Sequence, residues 1–407
     1  MNKVKMDEIC DFYNGGAWSD KEYVASGLPV LKVSNCKNSS FQIDDINFLP
    51  ISSKEKYAKN KLYKGDVIIA TVGSHPNLIE SAAGRSCVVN SLVEGFYLNQ
   101  NAVCLRSKDN EILDQGYLGY LCKERSFQHF IQNKGRGAAN QMRIAIGGIK
   151  EYKFNLPDID IQRKIGEILS SYDDLIENNQ KQIKLLEEAA QRLYKVWFVD
   201  LNFPGYEDVE IVDGIPEGWT YTTVDSFIKL QSGYAFKSNS FDNKGKFKIV
   251  TIKNVQDGEF DGNKVNRIVE IPAKMPKHCN LIEGDTLLSL TGNVGRICTV
   301  IGSDYLLNQR VAKIESVYPC YAYCLFSSKK MFHDMNNLAN GAAQQNLSPI
   351  RTGQMHILKP SEEILMMFEK MTKPLVNKKI LLNKSIITAT QARDRLLPKL
   401  MSGELQV

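Results

Sequence analysis

The sequence predicts an α/β protein in which two duplicated α/β globular blocks are separated by a long antiparallel two-helix coiled coil with a pseudo-twofold axis. Three observations predict this architecture. A helical repeat of unusual length spans residues 159–198, a second copy begins about 203 residues later, and the segments ahead of the two copies share one order of motifs. A period this long indicates duplicated domains, because solenoid repeats recur about every 20–50 residues.

The first helical segment places apolar residues at alternating steps of three and four. The predicted core positions are Ile161, Ile168, Leu175, Leu186 and Leu193. This spacing is that of a coiled coil, which needs a partner helix to cover it. Roughly 40 residues at about 1.5 Å each predict a helix about 60 Å long.

The second helical segment repeats this spacing. Its predicted core positions are Ile364, Phe368, Leu375, Leu382 and Leu396. Pro374 should kink this helix and Pro398 should end it, because proline lacks the backbone donor and crowds the preceding turn. A single heptad stretch is usually an ordinary core or dimer helix, but two copies at equal spacing favour a pair within the chain.

The globular blocks are predicted from short β-branched runs bounded by glycine, asparagine or serine. In the first block these runs predict strands at 30–34, 66–71, 86–90, 101–105 and 152–156, with a helix at 116–132. Four motifs of the first block recur in the second: Lys64-Gly-Asp66 as Glu283-Gly-Asp285, Leu98-Asn-Gln100 as Leu307-Asn-Gln309, Gly137-Ala-Ala-Asn140 as Gly341-Ala-Ala-Gln344, and Leu156-Pro157 as Lys359-Pro360. The predicted divisions are 1–157, 158–203, 204–360 and 361–407, with a block and a helix alternating.

The direction of helix pairing follows from the position of the second block. This block lies between the two helices, and a compact domain usually keeps its two ends close together. The end of the first helix and the start of the second should therefore meet, which only antiparallel pairing allows. The pseudo-twofold axis would then create two similar docking surfaces.

Composition bounds the function only loosely. The net charge of +5 over 407 residues does not by itself indicate a nucleic-acid-binding protein. Nine scattered cysteines predict reduced core thiols, with Cys320 and Cys324 on one helix face rather than in a metal site. No apolar run of about 18 residues predicts a membrane span, so a cytoplasmic protein is expected.

Catalytic signatures are missing from the sequence. We find no GxxxxGK[ST] phosphate loop, no GxGxxG fingerprint and no HExxH or GxSxG motif, and the five histidines are far apart. These absences predict a chain without catalytic residues or a metal site. Two alternatives stay open: a duplicated adaptor for a protein or carbohydrate ligand, and a nuclease or methyltransferase with cryptic motifs.

Three segments resemble a known family. They are Arg192-Leu-Tyr-Lys-Val-Trp-Phe198 followed by Phe203-Pro-Gly-Tyr206, Pro216-Glu-Gly-Trp219, and Ala392-Arg-Asp-Arg-Leu-Leu-Pro-Lys-Leu-Met-Ser-Gly-Glu404. Together they resemble the DNA specificity subunit of type I restriction-modification systems over essentially the whole chain. The resemblance implies that each block is a target-recognition domain, that the helices are spacers, and that the chain itself is not an enzyme.

The resemblance also implies a set of partners. They are double-stranded DNA with a bipartite recognition site, two methyltransferase subunits, and two restriction subunits that act as translocase and endonuclease. The assembled complex would be a DNA adenine methyltransferase and an ATP-dependent endonuclease. S-adenosylmethionine, ATP and Mg²⁺ are expected on the partner subunits, and no cofactor is expected in this chain.

Loop residues that could contact bases form the predicted DNA-binding set. Arginine fits guanine with two hydrogen bonds, and asparagine or glutamine fits adenine in the same way. The first block supplies Ser74, His75, Asn77, Arg85, Asn101, Arg136, Asn140, Gln141 and Arg143. The second block supplies Tyr234, Lys237, Lys253, Asn254, Asn293, Arg296, Gln344, Gln345 and Arg351. Each of these residues could instead cap a turn or be solvated.

Three large apolar residues near the end of the first helix form a candidate partner-binding group. They are Tyr194, Trp197 and Phe198. An exposed apolar group of this size would suit an anchor for a methyltransferase subunit. The alternative is that the three side chains pack against the second globular block.

Overall fold

The structure is a computed structural model that describes residues 2–36, 41–43, 45–73, 83–137, 142–263, 265–339 and 345–407. The chain divides into two compact units. Unit 1 contains Met1–Leu175 and Ala389–Val407, and unit 2 contains Ile176–Thr388. Each unit thus combines one globular block with part of each long helix.

Unit 1 begins with strands that alternate with short helices and ends in the first long helix. Its strands are β1 (Asn2–Lys5), β2 (Cys10–Asn14), β3 (Leu28–Leu31), β4 (Asn47–Leu49), β5 (Val67–Ala70), β6 (Val72–Gly73), β7 (Ser86–Val88), β8 (Tyr97–Leu98), β9 (Ala102–Ser107), β10 (Met142–Arg143) and β11 (Lys153–Leu156). Its helices are α1 (Met6–Ile9), α2 (Gln115–Lys123), α3 (Arg125–Asn133), α4 (Ile146–Lys150) and the start of α5 (Ile159–Tyr194).

Two sheets and a helical layer form the core of unit 1. The main sheet is antiparallel with strand order β2-β9-β5-β7, and the second sheet has the order β4-β3-β8 with β3 parallel to β8. Strand β5 is buried on both faces, because α2 covers one face and the second sheet covers the other. Val67 and Ile69 belong to the same hydrophobic cluster as Tyr117 of α2, whereas Ile68 packs with Leu31 of the second sheet.

Unit 2 repeats this order of elements. Its strands are β12 (Ile211–Val212), β13 (Ile215–Pro216), β14 (Thr220–Thr223), β15 (Ile228–Ser232), β16 (Phe247–Val250), β17 (Asn266–Ile268), β18 (Asn280–Leu281), β19 (Thr286–Ser289), β20 (Ile297–Thr299), β21 (Tyr305–Leu307), β22 (Val311–Ser316) and β23 (His356–Lys359). Its helices are α6 (Pro319–Phe326), α7 (Lys329–Ala339), α8 (Pro349–Gly353) and most of α9 (Glu362–Ser402).

The sheets of unit 2 confirm the predicted duplication. The main sheet has the order β15-β22-β19-β20 and the second sheet β17-β16-β21-β18, again with one parallel pair. In both units a strand near the start of the block pairs with the strand that precedes a long helix, as β1 with β11 and β14 with β23. The two ends of each block therefore lie side by side.

The repeated Gly-Asp motif forms the same turn in both units. Gly65 and Gly284 have φ angles of 89° and 97°, a left-handed conformation that favours glycine. The following carboxylate, of Asp66 or Asp285, accepts a backbone N–H from three residues earlier at 2.8 or 2.9 Å. Each carboxylate also pairs with a cation of the neighbouring strand, so the motif fixes the start of the central strand.

The long helices are continuous, which corrects one prediction. Helix α5 ends in a π-helical turn over Lys195–Val199, and α9 runs through both Pro374 and Pro398 as far as Ser402. Pro398 therefore does not end the helix. The helix ends at Gly403, whose φ of 76° is the left-handed conformation common after a helix.

Contacts within each unit show that α5 and α9 are antiparallel. In unit 2, Asn179 Nδ2 donates to Ser385 Oγ at 3.0 Å, and Glu187 pairs with Lys379. A higher residue number on α5 is thus paired with a lower residue number on α9, as in an antiparallel pair. In unit 1 Asp173 pairs with Arg393, and Ile165 and Leu169 share a cluster with Leu400. The predicted pairing direction is confirmed.

The buried face of α5 differs from the predicted face. The fully buried apolar residues are Ile165, Leu169, Ile176, Ala190, Tyr194 and Trp197. Ile161 and Leu175 are 37% and 43% exposed, so assigning them to the core was wrong, and Ile168, Leu186 and Leu193 are only half-buried. Helix α5 carries two apolar stripes, and spacing alone does not show which stripe meets the partner helix. On α9, Ile364, Phe368 and Leu382 are buried, whereas Leu375 and Leu396 are half-buried.

The aromatic group near the end of α5 lies in the core of unit 2. Tyr194 and Trp197 are buried, and the half-buried ring of Phe198 packs at 4.9 Å from Tyr321 and 5.0 Å from Phe368. The prediction that these three side chains form an exposed anchor for a methyltransferase subunit is therefore wrong. The alternative reading, packing against the second globular block, describes these residues.

The predicted helix at 116–132 is two helices, because the backbone at Glu124 is extended with ψ of 143°. The Glu124 side chain caps α3 by accepting from Ser126 N at 2.6 Å. Cys320 and Cys324 lie on one short helix, α6, as expected. All nine cysteines are buried, which confirms their expected place in the core.

Candidate nucleic-acid interface

A cleft of about 630 Å³ opens beside the end of β5 in unit 1. Three residues that the sequence predicts to contact bases line it together, namely Asn101, Arg136 and Arg143. The remaining lining residues are Thr71, Val72, Lys134, Ile144, Ala145, Ile146, Gly148 and Glu151. The cleft thus brings the three predicted residues together although Asn101 and Arg143 are 42 positions apart in the sequence.

Backbone pairing holds the two arginines in place. Arg136 and Arg143 exchange backbone hydrogen bonds of 2.9 Å in both directions, and Arg143 also lies opposite Val72 in the β10–β6 pair. Both arginine side chains are exposed. Because the main chain is fixed and the side chains are free to reach outward, this arrangement suits contact with an external ligand.

Asn101 approaches the cleft from the turn before β9. Its φ is 75°, a left-handed conformation that asparagine tolerates better than most residues, and its carbonyl accepts from Thr71 N at 2.8 Å. The charge of Lys134 is matched by Glu151 at 2.6 Å, and this hydrogen bond lowers the pKa of the Glu151 carboxyl. The positive charge of the cleft therefore comes from Arg136 and Arg143.

The same frame exists in unit 2 with different side chains. Leu290 N donates to Arg310 O at 3.0 Å, as Thr71 N donates to Asn101 O, so Arg310 is the equivalent of Asn101. Thr291 lies opposite Asn346, as Val72 lies opposite Arg143, so Asn346 is the equivalent of Arg143. Both Arg310 and Asn346 are exposed.

The two units therefore carry the same pair of side-chain types in exchanged positions. Unit 1 presents Asn101 and Arg143, and unit 2 presents Arg310 and Asn346. Sequence reasoning missed both residues of unit 2. The loop from Gly341 to the buried Leu347 is one residue shorter than the loop from Gly137 to the buried Ile144, so direct comparison of the motifs sets Arg143 against Leu347. Counting back from α4 and α8 restores the correct alignment.

Arg85 and Arg296 occupy equivalent positions and contact their own units. Arg85 Nη1 donates to the Cys36 carbonyl at 2.7 Å, and Arg296 Nη1 donates to Gln256 Oε1. Both side chains are half-buried. These bonds favour a role in positioning the loop after β3 or β16, and base contact by either arginine stays a prediction.

The prediction that Asn254 contacts DNA is wrong, because this side chain is completely buried. Its Oδ1 accepts from Thr251 N at 2.8 Å and its Nδ2 donates to Asp261 O at 2.8 Å. Asn35 makes the equivalent bonds in unit 1, at 2.9 Å each. An asparagine kept in both units for the same turn is a structural residue, and its recurrence in the sequence could have indicated this.

The remaining predicted residues of unit 2 are mostly exposed. Lys237, Lys253, Asn293, Gln345 and Arg351 have exposed side chains, and Tyr234 is half-buried with its ring 5.2 Å from Phe236. Six of the predicted DNA-binding residues lie outside the described residues, namely Ser74, His75, Asn77, Asn140, Gln141 and Gln344.

Two other kinds of site were sought in the described part of the chain. Among residues 2–36, 41–43, 45–73, 83–137, 142–263, 265–339 and 345–407, no group of three or more histidine, cysteine or acidic side chains is arranged to hold a metal ion. Within those ranges no helix combines the length and the apolar character that crossing a membrane requires.

Solved structures include one with a similar fold. The crystal structure of a type I restriction-modification system S subunit from M. genitalium matches this chain with a TM-score of 0.60 at 18% identity. The match covers 98% of this chain and 95% of that one. At this level of identity the comparison supports the fold alone.

Sequence relatives point in the same direction. The type I restriction enzyme MjaIX specificity subunit of Methanocaldococcus jannaschii is 27% identical over 72% of this chain and 69% of its own length. The HindI specificity subunit of Haemophilus influenzae is 21% identical over 92% of both chains. Residues 1–188 and 216–351 match the type I restriction modification DNA specificity domain. These ranges cover most of both globular blocks, and the chain therefore belongs to the family of type I restriction-modification DNA specificity proteins.

Proposed function

We propose that this chain reads a bipartite DNA site, with one half-site contacted by each unit, and recruits methyltransferase and restriction subunits to it. The observation that carries the proposal is the shared frame with exchanged side chains. Two copies of one backbone arrangement present Asn101 and Arg143 in unit 1 but Arg310 and Asn346 in unit 2. Such a pair suits two readers with different targets.

Base edges in the major groove explain the choice of side chains. Arginine donates two hydrogen bonds to the O6 and N7 atoms of guanine, and asparagine matches N6 and N7 of adenine. Phosphate contacts hold register but carry no direct sequence information. We therefore propose that the exposed guanidinium and amide groups beside β5 and β19, those of Asn101, Arg143, Arg310 and Asn346, contact bases. The lysine side chains around them are proposed to contact phosphates.

Exposed apolar residues on the long helices support recruitment of partner subunits. Ile161 and Leu175 of α5 lie on the outer surface in unit 1, and Met367, Met371 and Leu381 of α9 do so in unit 2. Apolar side chains in such positions are typical of protein interfaces. We assign them to the methyltransferase subunits, whose two copies would use one helix each.

The catalytic work would belong to the partners. S-adenosylmethionine, ATP and Mg²⁺ are proposed to bind the methyltransferase and restriction subunits, and this chain would supply recognition only. Nine buried cysteines that form no disulfide are typical of a protein from a reducing compartment, which supports a cytoplasmic location.

The length of the paired helices is proposed to set the gap between half-sites. Helix α5 contains 36 residues, so its axis is about 54 Å long at about 1.5 Å per residue. Major-groove faces on one side of B-DNA recur about every 34 Å. A spacer of this length is compatible with two readers that contact separate turns of the duplex.

Selection from a randomised DNA library tests the proposal. The chain, assembled with methyltransferase subunits, should enrich two short fixed blocks separated by an unspecified gap of constant length. Binding should also weaken steeply as salt rises. In a plot of log affinity against log salt concentration, each contacted phosphate should contribute about −0.9 to the slope. Enrichment of one uninterrupted block, or of no sequence, would refute the bipartite reading.

A further inference from the structure

Two ion pairs join α5 to α9, one in each unit, and in both pairs α5 supplies the acid and α9 supplies the base. Asp173 pairs with Arg393 in unit 1, and Glu187 pairs with Lys379 in unit 2. The cationic side chains are only 8% and 6% exposed. The acidic side chains are 30% and 31% exposed. Water therefore screens the two cations weakly, and leaving either cation unpaired would be costly.

A tyrosine from the neighbouring globular block completes each ion pair. In unit 1 the Tyr120 hydroxyl donates to Asp173 Oδ2 at 2.9 Å. In unit 2 Lys379 Nζ donates to the Tyr323 hydroxyl at 2.9 Å, and this hydroxyl donates to Glu187 Oε1 at 3.3 Å. Tyr120 lies on α2 and Tyr323 on α6, the equivalent helices of the two blocks. The duplicated chain thus contains equivalent networks in its two units, and in unit 1 Lys123 and Asp394 add a further ion pair to Asp173 and to Arg393.

The spacing of the charges is the same on both helices. Fourteen residues separate Asp173 from Glu187, and fourteen separate Lys379 from Arg393. Fourteen residues are two heptads, so the two charges of each helix share one face of a coiled coil. The contact between Asn179 and Ser385 lies near the middle of both intervals. Either helix would therefore present the same two positions to any antiparallel partner.

We infer that this charge pattern makes α5 accept α9 and reject a second copy of itself. An antiparallel pair of two α5 helices in this register would set Asp173 of one copy against Glu187 of the other, at two places. A pair of two α9 helices would set Lys379 against Arg393 in the same way. Like charges at these buried or half-buried positions are unfavourable, so two copies of the same helix are not expected to pair, whereas α5 with α9 keeps acid opposite base.

Single charge reversals recreate the rejected contacts inside one chain. Lys379→Glu puts an acid opposite Glu187, as two α5 helices would, and Glu187→Lys puts two bases together, as two α9 helices would. Each reversal should shift the unfolding equilibrium by about a hundredfold or more, because it leaves buried like charges. The double exchange, Glu187→Lys with Lys379→Glu, should return the unfolding equilibrium constant to within about tenfold of the value for the parent. Reversals that shift it less than about tenfold would overturn the inference.

A second measurement tests partner choice directly. The chain with only Glu187→Lys and Lys379→Glu keeps acid opposite base internally, but each of its helices then carries one charge of each sign. After refolding over a range of concentrations it should form dimers, detected by light scattering, in a fraction that rises with concentration.

The matched control adds Asp173→Arg and Arg393→Asp to that double exchange. Each helix then carries a single sign of charge again, with the acids on α9, and the dimeric fraction should fall to that of the parent chain measured in parallel. The inference is overturned if the double-exchanged chain is as monomeric as this control at every concentration.

Discussion

Exchange of Asn101 and Arg143 is the most informative perturbation of the proposed interface. The double variant Asn101→Arg with Arg143→Asn gives unit 1 the side chains that unit 2 carries at Arg310 and Asn346. Both positions are exposed on a fixed backbone, so the substitutions should leave the fold unchanged. The variant should therefore change which bases unit 1 prefers, at a cost in stability of about 1–2 kcal/mol for arginine at residue 101, where φ is 75°.

The expected size follows from one bidentate contact at each position. Each good contact contributes about 1–3 kcal/mol of discrimination against the wrong base, which is about 5–150-fold in affinity. Contributions at separate base pairs add approximately, so the double variant should change its preference by about 2–6 kcal/mol over two base pairs. The half-site read by unit 2 should not change.

Competition binding with a set of half-site variants, at one fixed salt concentration, measures this effect. Arg163→Asn is a charge-matched control for the single Arg143→Asn variant, because Arg163 of α5 pairs with Glu111 at 2.7 Å and does not line the cleft. The control should leave every preference intact. A uniform loss of affinity for all sequences in the Arg143→Asn variant, with a salt slope reduced by about 0.9, would show a phosphate contact and refute base reading.

Three further predictions concern the helices. Insertion of one heptad into both α5 and α9 adds about 10 Å to each and should lengthen the preferred gap by about three base pairs; an unchanged gap would rule out a spacer role. Phe368→Ala, at a fully buried position among aromatic rings, should destabilise the fold by about 3–5 kcal/mol in urea unfolding, whereas Met366→Ala, at a position 59% exposed, should have little effect. Burial alone would raise the pKa of Asp173, but Lys123 and Arg393 outweigh it and lower the pKa. The carboxylate therefore stabilises the fold above its unfolded pKa of about 3.9, and this contribution is lost as pH falls through that value and below it. Asp173→Asn should flatten the loss of stability between about pH 5 and pH 2, and equal acid sensitivity of the two proteins would contradict the argument.

Much of the architecture could be predicted from sequence because the duplication is visible in residue order. The Gly-Asp motif recurs ahead of the central strand in both blocks, and the structure shows that both copies form the same capped turn. The antiparallel direction followed from the place of the second block between the helices. These features depend on order along the chain, which a sequence states directly.

The helix core and the site were harder to predict because both depend on which surface meets which. Ile161 and Leu175 fit heptad spacing as well as buried residues do, yet they face outward. Asn254 has the side chain of an adenine reader but satisfies a turn in the core. Arg310 and Asn346 were missed because one residue of difference in loop length conceals their equivalence to Asn101 and Arg143. Backbone pairing and the positions of α4 and α8 in the structure reveal it.

The most direct test is to sequence modified bases in DNA from cells that express this chain with a methyltransferase partner. The account predicts a motif in two parts with a constant gap, in which Arg143→Asn alters one part and Asn346→Arg alters only the other. A single continuous motif, or a change in both parts from a substitution in one unit, would contradict it.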